Sequence, residues 1–174
     1  MPTTYTLISS NVLTSSAASV TFSAIPATYT DLVLRISARS SASATTATLL
    51  MQFNSITSGY SETNLYANSS NSPGSTQGSS LSTIGAYGFF LITGDTATAS
   101  TFSNVEYYIP SYTVSQNKPV SGMTTPENNA TVFVPRVMAA LMSNTATISG
   151  VTFTLGAGNF MSGSSFYLYG ISNA

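Results

Sequence analysis

The stretch DLVLRISAR, Asp31 to Arg39, decides the fold. Leu32, Leu34, Ile36 and Ala38 share one parity, and Asp31, Val33, Arg35, Ser37 and Arg39 share the other. A two-residue period is that of a strand with one buried face. The reading places Asp31, Arg35 and Arg39 together on the solvent face.

The same alternation recurs on both sides of this stretch. Ala18 to Ser23 alternates around Val20 and Phe22. Thr101 to Ile109 sets Val105, Tyr107 and Ile109 against Phe102, Asn104, Glu106 and Tyr108. Val151 to Leu155 sets Val151, Phe153 and Leu155 against two threonines. Ser165 to Ile171 is aromatic on both faces, which suits a central strand at an interface. Leu49 to Phe53, Tyr60 to Tyr66, Ile84 to Ile92 and Val132 to Met142 are further candidates, with Tyr5 to Ile8 and Val120 to Met123 as weaker ones.

Helix formers are scarce, and Ser and Thr compete with helical hydrogen bonding. Only Val137 to Met142 has a helix-favouring composition, with room for one short turn. Ten or so short strands in 174 residues predict an all-β chain. The expected architecture is a single-domain antiparallel β-sandwich over residues 1–174, jelly-roll-like. Ala67 to Ser80, ANSSNSPGSTQGSS, has no large apolar residue and reads as a surface loop.

Composition removes several chemistries. The chain has no His and no Cys, four Lys plus Arg, five Asp plus Glu, and a net charge of -1. That excludes a Ser-His-Asp triad, a cysteine nucleophile, and thiolate or imidazole zinc ligation. Four scattered cations cannot neutralise a nucleic-acid backbone. No apolar run approaches the roughly 18 residues of a membrane-spanning helix. The first basic residue is Arg35, so no charged signal-peptide region is read at the N-terminus.

The motifs are read as structural. Gly156, Gly158 and Gly163 in GAGNFMSG lack the third glycine of a dinucleotide fingerprint, because position 161 is Met161; they read as a turn between the last two strands. The carboxylates Asp31, Glu62, Asp95, Glu106 and Glu127 show no spacing that aims two at one bond, and ordinary surface placement is expected for them. Asp95 has no EF-type neighbours for calcium. Asn68-Ser69-Ser70 and Asn129-Ala130-Thr131 match the glycosylation sequon, as chance provides in a chain rich in Ser and Thr. Ten Tyr and nine Phe are assigned mainly to the core or a subunit interface rather than to a sugar platform. No catalytic, cofactor-binding or metal-binding residue is assigned, and no partner-binding residue can be named. With 5% charged residues, the surface suits burial against copies of itself or a larger assembly.

Four segments carry a resemblance: SAIPATYTDLVLRISARS (Ser23 to Ser40), STFSNVEYYIPSY (Ser100 to Tyr112), TPENNAT (Thr125 to Thr131), and SNTATISGVTFTLGAGNF followed by FYLYGI (Ser143 to Ile171). They resemble small β-rich virion structural proteins of tailed bacteriophages, especially those of aquatic and cyanobacterial phages. An N-terminal YTL strand with a C-terminal LYGI strand is the most specific element. The resemblance implies a capsid decoration, or cement, protein that binds the outer surface of the major capsid protein shell. It implies a homo-oligomer, a trimer at local threefold positions, located in the virion and assembled in the host cytoplasm. It implies no catalytic residue; no cofactor, nucleic-acid or membrane partner is expected from the composition. The alternative is a tail-fibre or receptor-binding tip that holds a host surface glycan.

Overall fold

The computed structural model describes residues 4–67, 72–127 and 135–172. Among them twelve strands form and no helix does. In chain order the strands are β1 (Tyr5–Val12), β2 (Ser19–Phe22), β3 (Asp31–Ala38), β4 (Thr46–Phe53), β5 (Tyr60–Ala67) and β6 (Pro73–Leu81). Next come β7 (Leu91–Thr93), β8 (Ser103–Ile109), β9 (Lys118–Thr125), β10 (Arg136–Met142), β11 (Val151–Leu155) and β12 (Ser165–Ile171). They form two antiparallel sheets, ordered β1-β12-β3-β8-β9-β10-β5-β6 and β2-β11-β4-β7. The two-sheet sandwich expected from the alternation is the observed one, with its strands divided eight against four.

The alternation explains the layers. On β8, Val105, Tyr107 and Ile109 are buried, and on β11 so are Val151 and Phe153. These inner faces meet in one hydrophobic cluster. Phe153 of the small sheet sits 6.1 Å from Tyr107 and 5.8 Å from Phe166 of the large one, ring centre to ring centre. Phe160, from the turn between β11 and β12, meets Phe166 edge-on at 5.0 Å. The glycine-rich segment is that turn: Gly158 and Gly163 both have positive φ, 71° and 88°, where a side chain costs strain. The YTL and LYGI segments lie side by side, with Tyr5 opposite Ile171 and Leu7 opposite Tyr169.

Three local expectations change. In the segment expected as a loop from Ala67 to Ser80, Ala67 ends β5, residues 68–71 lie outside the described residues, and Pro73 onward forms β6, an edge strand paired to β5. Leu81 at its end packs against the core, and the rest of the strand needs no large apolar residue because aromatic rings lie under it. A Cβ on Gly74 would stand 2.6 Å from the Tyr66 ring, and one on Gly78 would stand 2.6 Å from the Tyr87 ring. Val137 to Met142 is strand β10, not a helical turn, because neighbours on both sides pair with its backbone. The candidate strand Ile84 to Ile92 shrinks to β7 and an isolated bridge from Ile84 to Met51, since Gly85 and Gly88 turn the chain at φ 89° and 84°. Both sequons, and the first residues of the Val132 to Met142 candidate, lie outside the described residues.

Candidate functional site

The ionisable residues come first, since any acid–base chemistry would need them. Most are turned inward and bind backbone. Arg39 is 4% exposed, and its guanidinium donates to four carbonyls: Thr98 at 2.6 Å, Thr101 at 3.0 Å, Asp95 at 2.9 Å and Ala97 at 3.0 Å. The Lys118 ammonium donates to the carbonyls of Val114, Gln116 and Thr145 at 2.6, 2.5 and 3.2 Å, and desolvation lowers its pKa. Arg136 donates to the Phe89 carbonyl at 2.9 Å, with its guanidinium 5.2 Å from the Tyr66 ring centre; desolvation lowers its pKa too.

The carboxylates act in the same way, mainly on N–H groups. Glu62, 3% exposed, accepts from the backbone of Gly85 at 2.5 Å and Tyr87 at 3.2 Å, and from the Asn64 amide at 3.2 Å. Asp31 accepts from the Tyr108 hydroxyl and the Ser111 amide, both at 2.8 Å. The bond to Asp31 is also the main reason the Tyr108 phenol is raised above its ordinary pKa. Glu127 accepts from the Thr98 amide at 3.0 Å. Ordinary surface placement therefore fails for Asp31 and Glu62. The expected outward row of Asp31, Arg35 and Arg39 fails as well, because only Arg35 faces solvent there. The reason is common to all: loops leave backbone carbonyls and amides unpaired, and a charged side chain gathers several at once. Glu106 is bound to Arg35 at 2.8 Å.

Among the described residues no group of three or more metal-ligating side chains forms. A shallow groove of about 610 Å³ lies over β9, β10, β5 and β6, lined by Thr63, Gln77, Ser79, Pro119, Ala139 and Leu141 among others. Glu62 touches it, but its carboxylate is engaged by Gly85 and Tyr87. The groove offers hydroxyls, one amide and small apolar groups, and no acid–base pair.

The outer face of the large sheet is the second feature. Directly paired residues of an antiparallel sheet share a face, so the register reads out two rows. One row runs Leu7, Tyr169, Val33, Tyr108, Ser121, Ala139. The next runs Tyr167, Arg35, Glu106, Met123, Val137, Leu65. Leu7, Met123, Val137 and Leu65 are each about half exposed. The ion pair Arg35–Glu106, the one formed among the described residues, sits between these apolar side chains. The sequence held a signal for this face. On β10, Val137, Ala139 and Leu141 are apolar on the outward parity, while Met138, Ala140 and Met142 are apolar on the inward one. A strand apolar on both parities is one whose two faces are both meant to be covered. The aromatic two-sided pattern of Ser165 to Ile171 carries the same signal, and β12 lies between β1 and β3.

No protein-family model matches this chain, and no curated protein sequence matches it.

Proposed function

We propose that this chain is a phage virion structural protein, a capsid decoration protein that binds the outside of the major capsid shell as a homo-oligomer and stabilises it. The observation that carries the reading is the disposition of charge. Arg39, Lys118, Asp31 and Glu62 are buried on hydrogen-bond partners within the chain, and the broad outer face of the large sheet carries half-exposed Leu7, Met123, Val137 and Leu65 among neutral Ser, Thr and Asn residues, with one ion pair. A free-standing subunit keeps interspersed charge on its surface. One that works inside an assembly can leave apolar area for its neighbours.

The strand order supports a jelly-roll reading. Read without β9, β10, β5 and β6, the orders β1-β12-β3-β8 and β2-β11-β4-β7 fit two four-stranded jelly-roll sheets. The pairs β5-β6 and β9-β10 then enter as two insertions that widen one sheet. Jelly rolls recur in viral capsid and lectin domains, an analogy of fold that raises the virion reading without fixing it. The tail-fibre reading would use the groove over β5 and β6. Its named lining contains no aromatic ring for a sugar to stack on, so it takes second place.

The test is location. The chain is expected in purified particles by mass spectrometry, as density on the capsid exterior in an image reconstruction. Its release should need denaturant or heat rather than salt, since apolar contacts and neutral hydrogen bonds are little screened. Absence from particles, or density at the tail tip, overturns the decoration reading.

A further inference from the structure

We infer that the outer face of the eight-stranded sheet is covered by the same face of a second copy of this chain, about a two-fold axis that runs along the strands between β3 and β8. The inference rests on the assembly reading above and names the partner that covers this face.

Three observations carry it. The first is charge. Arg35 and Glu106 are direct cross-strand partners, one on each side of that line, with side chains 59% and 43% exposed. A two-fold along the line sets Arg35 of each copy over Glu106 of the other. The four charges then alternate in sign. A partner with net charge of either sign on its own surface would leave one of the pair opposed by a like charge.

The second is shape. The same rotation carries β12 over β9 and β1 over β10. In register, Tyr169 then faces Ser121 of the second copy, Tyr167 faces Met123, and Leu7 faces Ala139. Tyr169 and Leu7 thus meet small side chains at the β9 and β10 end, and Tyr167 packs on the flexible Met123. Ala139 lines the groove of about 610 Å³, so Leu7 has a depression to enter. Sheets packed face to face stand about 10 Å apart, a gap that side chains of this size fill from both sides.

The third is extent. Six strands, from β1 to β10 across the sheet, span about 24 Å at ~4.8 Å per gap, and seven residues of strand run about 23 Å. The patch is therefore about 550 Å² per copy, or about 1,100 Å² for the pair. As a projected area this stands near the roughly 1,000 Å² lower bound of a specific interface; Val33, close to the axis, is already 2% exposed and adds little to it.

The test uses charge swaps at two exposed positions and sedimentation of the whole chain. The native protein is expected to run at twice its 18.1 kDa mass at about 50 µM. R35E places four anions at the axis and E106R places four cations, so each variant alone should associate at least about tenfold more weakly. Mixed one to one, the two variants should form a heterodimer, because each carries the charge the other lacks. That rescue is specific to a second copy as partner. Leu7→Glu, at the half-exposed rim, should also give monomers while circular dichroism stays that of the native fold. A native chain that is monomeric or trimeric overturns the inference. So do single swaps that dimerise as tightly as the native chain, or a mixture that stays monomeric. Native chain that stays monomeric in solution but is found on particles with this face against the shell would overturn this inference and leave the decoration reading standing. A heterodimerising mixture from a chain absent from virions would do the reverse.

Discussion

Replacing Arg39 with Met removes the four bonds that hold residues 95 to 101 against the sandwich while keeping most of the side-chain volume. The four acceptors differ in burial. The site at Ala97 is buried, and those at Asp95, Thr98 and Thr101 are partly buried. An unpartnered buried carbonyl costs about 1–3 kcal/mol, and a typical bond whose acceptor can turn to water costs about 0.5–1.5 kcal/mol. Relief from burying a guanidinium returns part of that. The net loss is expected at about 3–4 kcal/mol, which for a chain of this size lowers Tm by roughly 10 °C. Arg39→Lys should lose less, because it keeps the charge, yet a compact ammonium has three donors and no planar fork to span four carbonyls. The assay is urea unfolding followed by circular dichroism. The midpoint should fall with the slope unchanged, in the order native, Lys, Met. Limited proteolysis should open the segment around residues 95 to 101 first. A Met variant within about 0.5 kcal/mol of native would refute the idea that this charge organises the loop.

Further outcomes follow from the same geometry. Gly85→Ala should be strongly destabilising, by more than about 3 kcal/mol, since φ is 89° there and a Cβ would lie 2.1 Å from the Leu49 carbonyl oxygen; thermal melts check this. Glu62→Gln turns one acceptor oxygen into a donor facing an amide, and should cost about 2 kcal/mol and speed hydrogen exchange at Gly85 and Tyr87. Stability should be flat from pH 6 to 8, as no His titrates there. Burial raises the phenol pKa values of Tyr107, Tyr60 and Tyr112 above 10, Tyr107 furthest and with Glu62 adding to it. Their stabilisation is whole below the unfolded value near 10 and is lost as pH climbs through the folded values, so unfolding should set in on the alkaline side. Denaturant midpoints measured across that range would contradict the assignment if they stayed level to pH 12.

Legibility in the sequence followed what each residue faces. The alternation in β3, β8 and β11 was readable because their inner positions are filled with Leu, Ile, Val, Phe and Tyr against one core. β6 was not, since PGSTQGSSL turns glycines toward the Tyr66 and Tyr87 rings and has no apolar period of its own. The residues VMAALM favour helix, yet pairing on both sides made them β10; tertiary context overrode propensity. The charged residues misled most. Arg39 continues the outward parity of β3, and nothing in its neighbours announces four carbonyls contributed by residues 95 to 101. A side chain that binds backbone is matched to a loop's shape, and shape is not written in residue type. The apolar outer face was half legible: its two-sided strands were visible, but the rows of Leu7 with Tyr169 and Met123 with Val137 exist only once the register is known.

The position of the two latest strands has a consequence for synthesis. β12 lies between β1 and β3, and β11 lies between β2 and β4. Until the ribosome has made residues 151 to 171, neither β1 nor β2 has a neighbour, and both sheets are missing an interior member. The nascent chain must therefore hold its N-terminal strands unpaired through most of translation, with inner-face residues such as Val20, Phe22 and Leu34 waiting for cover. Folding that depends on such distant closure is slow and exposes strand edges while it waits. A chain stalled near residue 150 would present a family of open edges, and copies emerging from neighbouring ribosomes would be the nearest strands to fill them.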